Sequence, residues 1–492
     1  MAGIGFELKK LFAGRGVVMK VRAYAYASIV CTGTMLLAIV LLLGVQSIAK
    51  AYGVVEAERN QLVVMMVYAM LFSLLLCSGF QMLLSRYVAD QLYQDHMERV
   101  MPSFFGGCVL LMVPGGLLYA LLLIQAPTIP LIDRCLNWLL FMLLIPVWLQ
   151  LSYITAAKDY RRILRVFALG IAVALLLGWG MIELGIRVVT SLMASMVVGY
   201  GIMLVGFTQV LLRYFPVGSG SSFRFLEWFD RTPELLAIGF FTMAGAFAHL
   251  ILMWFSPLGE VVVGPFRQAS HHDAAAFFAY LVTIPTSINF IISVEVTFYQ
   301  KYRNYFDAIT TGGTLAQILL ARKSMTVVLK QEIFKLANVQ IFCLVAYVVL
   351  MRYFLQTIGF TTEMIAMFQI NAIGYSSYAI GNSLMLLQLY FNDRKGALAS
   401  ALVFFTVNCV ATWVTMHISS LYYGVGFALA GAAFYLTALP RLLQYVNDID
   451  YHVFCQQPVL NREKNGFWIR LAHKLDHHPA PPHTDNHKEV SV

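Results

Sequence analysis

From Gly396 to Pro440 the chain runs 45 residues without a formally charged side chain, a run that an ordinary soluble domain, roughly a quarter charged, does not contain. A bilayer core of about 30 Å is crossed by roughly 20 apolar residues in a helix. Forty-five residues are too many for one crossing and right for a helical hairpin, turning between His417 and Gly424. The same ruler, laid along the whole chain, predicts spans near 25–48, 62–84, 104–126, 135–157, 166–183, 188–212, 235–257, 274–295, 336–355, 364–390, 397–417 and 421–440. The run from Ala25 to Ile48 holds 24 residues without a charge, so the basic start followed by an apolar run reads as a span and not as a cleaved leader. The implied fold class is an all-α polytopic membrane protein with about twelve transmembrane helices in two six-helix bundles.

Between the sixth and seventh spans, Tyr214 to Glu234 contains Pro216, Gly218, Ser219, Gly220, Ser221 and Ser222, a flexible linker composition. The expected organisation is therefore an N-terminal bundle over 1–213, a cytoplasmic linker over 214–234, a C-terminal bundle over 235–445 and a polar cytoplasmic tail over 446–492 with a disordered end. Six is an even number, so both halves run the same way through the bilayer, as in transporters whose lobes are related by an axis along the membrane normal. An echo between the halves is faint: Ser85-Arg86-Tyr87 closes the second span and Ser293-Val294-Glu295 the eighth.

The net charge of +9 suggests nucleic acid only if the basic residues form a face on a soluble fold. Here they sit between apolar runs, so no nucleic-acid partner is expected. With the N-terminus inside, 28 of the 34 Lys and Arg fall on the cytoplasmic side, and six (Lys50, Arg59, Arg134, Arg187, Arg267 and Arg352) fall outside. That bias places both termini in the cytoplasm, and the chain in a bacterial inner membrane. Of the seven cysteines, Cys31, Cys77, Cys108, Cys343 and Cys409 lie within apolar stretches, Cys135 opens another and Cys455 lies outside, a pattern of core and lipid-facing residues rather than a disulfide framework.

Chemistry-bearing motifs are sparse. No Gly-rich loop ending in Lys and Ser or Thr is present, which argues against an ATP-driven pump. Asp448-Ile449-Asp450 has the acidic spacing of metal-dependent glycosyltransferases, but the short tail cannot build the α/β domain such an enzyme needs, so it reads as a solvated turn. His473, His477, His478, His483 and His487 lie in a proline-bearing tail with no rigid frame for a metal. No catalytic residue, metal or cofactor is expected. Polar groups inside spans say more, because hydrocarbon gives them no partners. His249 lies in the seventh span; Pro285, Asn289 and Glu295 in the eighth; Gln369, Asn371, Ser376, Ser377, Asn382 and Gln388 in the tenth; Asn408 in the eleventh. Each alone reads slightly better as interhelical glue. Together, an amide-rich tenth span and a proline-broken eighth suggest the lining of a wet cavity, with His249, Asn289, Glu295, Gln369, Asn371, Asn382 and Asn408 as the substrate-pathway candidates.

The opening Met1 to Leu11, MAGIGFELKKL, together with Ser85-Arg86-Tyr87-Val88-Ala89-Asp90, the Ser293-Val294-Glu295 and Phe298-Tyr299 segment and Tyr451-His452-Val453-Phe454-Cys455, resembles the family of Pel exopolysaccharide transporters. The resemblance runs from Met1 to about Phe467. It implies membership of the multidrug/oligosaccharidyl-lipid/polysaccharide flippase (MOP) superfamily, with two bundles that alternate access. Its implied partners are membrane lipids, the cytosolic glycosyltransferase PelF and the membrane proteins PelD and PelE. The implied activity is outward export of a growing galactosamine-rich polysaccharide to the periplasm within a synthase-transport complex, in support of a biofilm matrix. An ion-coupled exporter, a lipid-linked oligosaccharide flippase and a membrane scaffold for a glycosyltransferase are the competing readings.

Overall fold

The computed structural model describes residues 17–157, 160–218, 221–455 and 466–475. The Met1–Leu11 motif, Ser219 and Gly220 of the linker, and the histidines beyond residue 475 lie outside the described residues. Twelve long helices follow in order: α1 (Val17–Ala51), α2 (Glu56–Tyr93), α3 (Val100–Ile124), α4 (Leu131–Ala157), α5 (Tyr160–Glu183) and α6 (Val188–Tyr214), then α7 (Pro233–Met253), α8 (Ser270–Thr310), α9 (Leu315–Thr357), α10 (Thr362–Tyr390), α11 (Arg394–Ile418) and α12 (Val425–Asn447). Each expected span falls on one helix, but α8 runs on to Thr310 past the expected end at 295 and α9 starts at Leu315, well ahead of the expected 336.

Ten of these helices are long and apolar enough to cross a membrane. The other two are α1, whose described apolar part is Leu36–Ala51, and α10, which at 29 residues has the length but carries the amides. Neighbour relations repeat with an offset of six helices. In the first half α1 packs on α5, α2 on α4, α3 on α4, α4 on α6 and α5 on α6; in the second α7 packs on α11, α8 on α10, α9 on α10, α10 on α12 and α11 on α12. Contacts between the halves obey the same rule, since α2 meets α7 and α1 meets α8. Two six-helix bundles related by a pseudo-two-fold axis account for every one of these pairs. At the α2–α7 crossing the backbones touch, and a Cβ at Gly239 would lie 2.5 Å from the Ser78 carbonyl oxygen.

Two features depart from expectation. The α7–α8 connection folds into an antiparallel hairpin, β1 (Glu260–Val263) against β2 (Phe266–Gln268), pairing Glu260 with Gln268 and Val261 with Arg267. The linker is not flexible throughout: Glu227–Arg231 is helical, and its Trp228 indole N–H donates to Asp90 at the end of α2, 2.9 Å away. A tail helix, Phe467–Leu475, docks on that segment, its Ile469 N–H donating to Asp230 at 2.9 Å while Trp468 packs on Phe229. The two ends of the molecule are therefore a hairpin face and a linker face.

On the linker face α8 and α9 run on past the bundle as a helical pair. Thr314 and Gln317 form a capping box that starts α9, and Tyr305, Met325 and Leu329 pack with Leu442, Val446 and Ile449 in a second apolar core. Asp450 is no solvated turn. It accepts the Tyr305 hydroxyl at 2.7 Å and pairs with Arg322, which also donates to the Asn447 carbonyl. Asp450 thus closes the α8–α9 extension onto the end of α12, while Asp448 stays exposed.

Candidate functional site

Pro285 has no N–H to give, and the helix ahead of it tightens into a 3₁₀ turn, Leu281–Thr283. The Val282 carbonyl accepts Gln340 Nε2 from α9 at 3.0 Å; the same amide nitrogen reaches Ser376 Oγ of α10 at 3.0 Å, and its oxygen accepts the Thr286 hydroxyl. Gln340, fully buried, thus pins three helices at the break. Ser293–Phe298 then forms a π turn, the second irregularity in α8. Glu295 lies in that turn, and its side chain is outside the described ones. Asn289 sits between the two irregularities, 7% exposed, on the segment of α8 that meets α1 of the other bundle.

On α10, helical spacing of about 100° per residue puts Asn371, Tyr375, Tyr378 and Asn382 on one face and Gln369 about 200° from Asn371. A single path cannot be lined by both sides. The Asn371 face looks toward α7 and α8, the helices that meet the other bundle: Tyr375 Oη lies 3.2 Å from His249 Nε2, and Asn371 Nδ2 lies 3.4 Å from His272 Nε2. Near the hairpin face this side of α10 is closed, with Asn371 at 0% and Tyr375 at 4% exposure; farther along, Tyr378 and Asn382 are half-buried. Gln369 is half-buried on the opposite side.

His249 and Asn371 lie in a polar cluster inside the C-terminal bundle, where the His249 ring stacks on Phe427 with centroids 4.0 Å apart. Asn408 lies between α7 and α11. Fully buried, it donates to the Gly245 carbonyl of α7 at 2.6 Å and accepts Thr412 at 2.8 Å, which makes it a joint between helices. Gln388 is likewise interhelical, donating to the Ala438 carbonyl of α12 at 3.0 Å. Nothing in the sequence singles out His272, Asp273, Tyr375 or Gln340. His272 and Asp273 stand just ahead of the expected eighth span, where they read as loop; the only sequence signal was an acidic residue in a helix's first turn.

At the hairpin face Tyr68 joins the two bundles. Tyr68 of α2 donates to the Arg267 carbonyl at 3.1 Å and accepts the Arg267 N–H at 3.0 Å. Its ring stacks on Trp254, 4.7 Å and 12° apart, and packs on Phe266. The N-terminal bundle is pinned on the same face by Arg187, which bridges Glu58 at 3.0 Å and the fully buried Asp133 at 3.1 Å. Among the described residues no group of three or more His, Cys, Asp or Glu is placed to hold a metal ion.

This architecture is shared with solved transporters. The outward-facing conformation of a multidrug resistance MATE family transporter of the MOP superfamily superposes with a TM-score of 0.59 at 11% identity, covering 86% of this chain and 96% of that one. The eukaryotic MATE transporter AtDTX14 gives 0.58 at 12% identity over 92% and 98%, and an inward-facing MATE of the MOP superfamily 0.53 at 11% over 83% and 95%. The fold is thus that of a MATE-like membrane transporter. Residues 1–454 match the family described as "PelG: Putative exopolysaccharide Exporter (EPS-E)", and the chain belongs to that family. The match ends at Phe454, short of the Phe467 expected above. A search of curated proteins gives no match.

Proposed function

We propose that this chain exports a growing galactosamine-rich polysaccharide across a bacterial inner membrane to the periplasm, where it contributes to a biofilm matrix. The hairpin face points to the periplasm and the linker face, with both termini, to the cytoplasm, in keeping with the 28-to-6 division of Lys and Arg. The bundles extend over 1–213 and 235–445, and the linker over 214–234. On the cytoplasmic side the glycosyltransferase PelF supplies the polymer and the catalytic chemistry, and the membrane proteins PelD and PelE complete the assembly.

The observation that carries the reading is the uncharged side of α10 on which Tyr378 and Asn382 are half-buried and Asn371 and Tyr375 closed. A sugar polymer offers hydroxyls and acetamides, and an amide that both donates and accepts suits them better than a fixed charge. Asn289, at the bundle boundary, is the second amide of this path; Gln369, on the far side of α10, is not.

The test is a set of single cysteines at 289, 369 and 382 in a background without the native cysteines. Asn382→Cys is expected to react with a small membrane-impermeant thiol reagent, and Asn382→Leu and Asn289→Leu to reduce polymer export at unchanged protein level. Gln369→Leu is expected to export normally. An unreactive Asn382→Cys together with normal export by both leucine variants would contradict the path.

A further inference from the structure

Lys395 and Arg441 are the two charges that bracket the uncharged run, and the α11–α12 hairpin brings them to the mouth of one groove between the helices. The groove lies toward the linker face, where the neighbouring Arg394 donates to the Arg231 carbonyl at 3.4 Å. Its cavity, about 380 Å³, exists because α11 carries small residues there: Gly396, Ala399 and Ser400, with Val403 deeper in. A Cβ at Gly396 would stand 2.9 Å from Arg441 Cγ, so the helices meet closely at the mouth. Ala399 is exposed, and farther along the same side of α11 Val410 is 63% and Trp413 56% exposed. That side faces away from the bundle, and the cavity opens to hydrocarbon at the depth where charge begins.

A second cavity, about 330 Å³, continues from Arg441 along the end of α12, lined by Gln444, Tyr445, Asp448, Tyr451 and His452. Tyr445 and His452 stack with centroids 3.9 Å and planes 2° apart, which fixes one wall. Arg441 joins the two cavities in a set pose: Nε and Nη2 donate to the buried Asp393 at 2.8 and 3.0 Å, and no described residue accepts from Nη1. Asp393 balances that guanidinium, whereas the exposed Lys395 has no carboxylate partner among the described residues. Asp448 lies two turns beyond Arg441 on the same helix face, about 10 Å farther from the hydrocarbon. The order outward is thus an apolar slot, a pair of cations and a carboxylate among aromatic rings. An ethanolamine glycerophospholipid has the matching order of acyl chain, phosphate and ammonium. We propose that this groove binds such a lipid, with its phosphate between Lys395 and Arg441 Nη1. Its ammonium donates to Asp448 beside the Tyr445 and Tyr451 rings, and one acyl chain fills the slot over Ala399. The four charges of the site sum to zero, which suits a zwitterion better than a lipid of net negative charge. The inference rests on the fold alone and holds whatever the chain transports.

The test uses the full chain in phosphatidylcholine nanodiscs, to which phosphatidylethanolamine or phosphatidylglycerol is added in steps, with the lipid retained per chain counted by native mass spectrometry. The expected result is one ethanolamine lipid per chain, held about tenfold more tightly than either of the others. Ala399→Trp, which fills the slot from an exposed position, and Lys395→Gln should each weaken retention about tenfold. Asp448→Asn should keep a bound lipid but lose the preference for ethanolamine over glycerol, and Val410→Trp, on the same side of α11 but outside the slot, should behave as the native chain. Soluble glycerophosphoethanolamine should not displace the lipid; displacement at equal concentration would mean a site for the head alone and would overturn the lipid reading. A native chain that retains no ethanolamine lipid, or retains all three lipids equally, overturns the proposal whether or not the variants fold. So does retention that survives both Ala399→Trp and Lys395→Gln.

Discussion

Asn371, Asn382 and Asn408 are the same side chain in three apolar helical settings, and each does something different. Asn408→Leu removes two buried hydrogen bonds that join α7 to α11 and steady Thr412, worth about 1 kcal/mol together given roughly 0.6 each for such bonds in membranes. The expected outcome is a lower melting temperature for the purified protein with export per molecule unchanged, whereas Asn382→Leu lowers export and leaves the melting temperature in place. Calorimetry and polymer export measured on the same preparations separate the two. Sequence alone could find all three, because an amide in hydrocarbon stands out, but could not sort them. Sorting depends on which neighbour each face meets, and that is set by packing. Gln340 was hidden for a related reason: its partner is a carbonyl beside a proline on another helix, which no spacing along α9 reveals.

At the scale of elements, length and apolarity made the helices legible, whereas the irregular segments were only half so. Pro285 predicts a break in α8, and the 3₁₀ turn is there. The π turn at Ser293–Phe298 and the β1–β2 hairpin have no comparable signal, since both arise from how α8 must reach α9, α10 and α2 at once. Close packing of α10 on α12 gives a sharp prediction. A Cβ at Gly431 would stand 2.6 Å from the Gly374 carbonyl oxygen, backbone against backbone, while a Cβ at Gly201 in α6 meets nothing within 4 Å. Gly431→Ala should therefore destabilise the protein by about 1–3 kcal/mol. Gly201→Ala should be neutral or stabilise by up to about 1 kcal/mol, because alanine is the better helix former. Thermal unfolding of the two variants beside the parent checks the difference in sign.

For the whole molecule the offset of six helices is the organising fact. It relates the bundles, and it leaves the α2–α7 and α1–α8 contacts as their shared boundary. Only 17% of the most apolar stretch of α9 is buried, against 61% for α2, so α9 turns to lipid and α2 to the boundary. Alkaline phosphatase fused within the α7–α8 hairpin is expected to be active, and the same enzyme fused in the α8–α9 turn or after Val492 inactive; activity after Val492 would overturn the orientation. The central claim, that a sugar polymer passes between the bundles beside α10, is tested most directly by placing a photo-crosslinking amino acid at Asn382 and, separately, at Phe342 on the outer side of α9, where 74% of the side chain is exposed. Irradiated while polymer is being made, the Asn382 variant should yield a covalent adduct carrying galactosamine polymer and the Phe342 variant none. Polymer adducts absent from Asn382, or equal at both positions, would contradict the account.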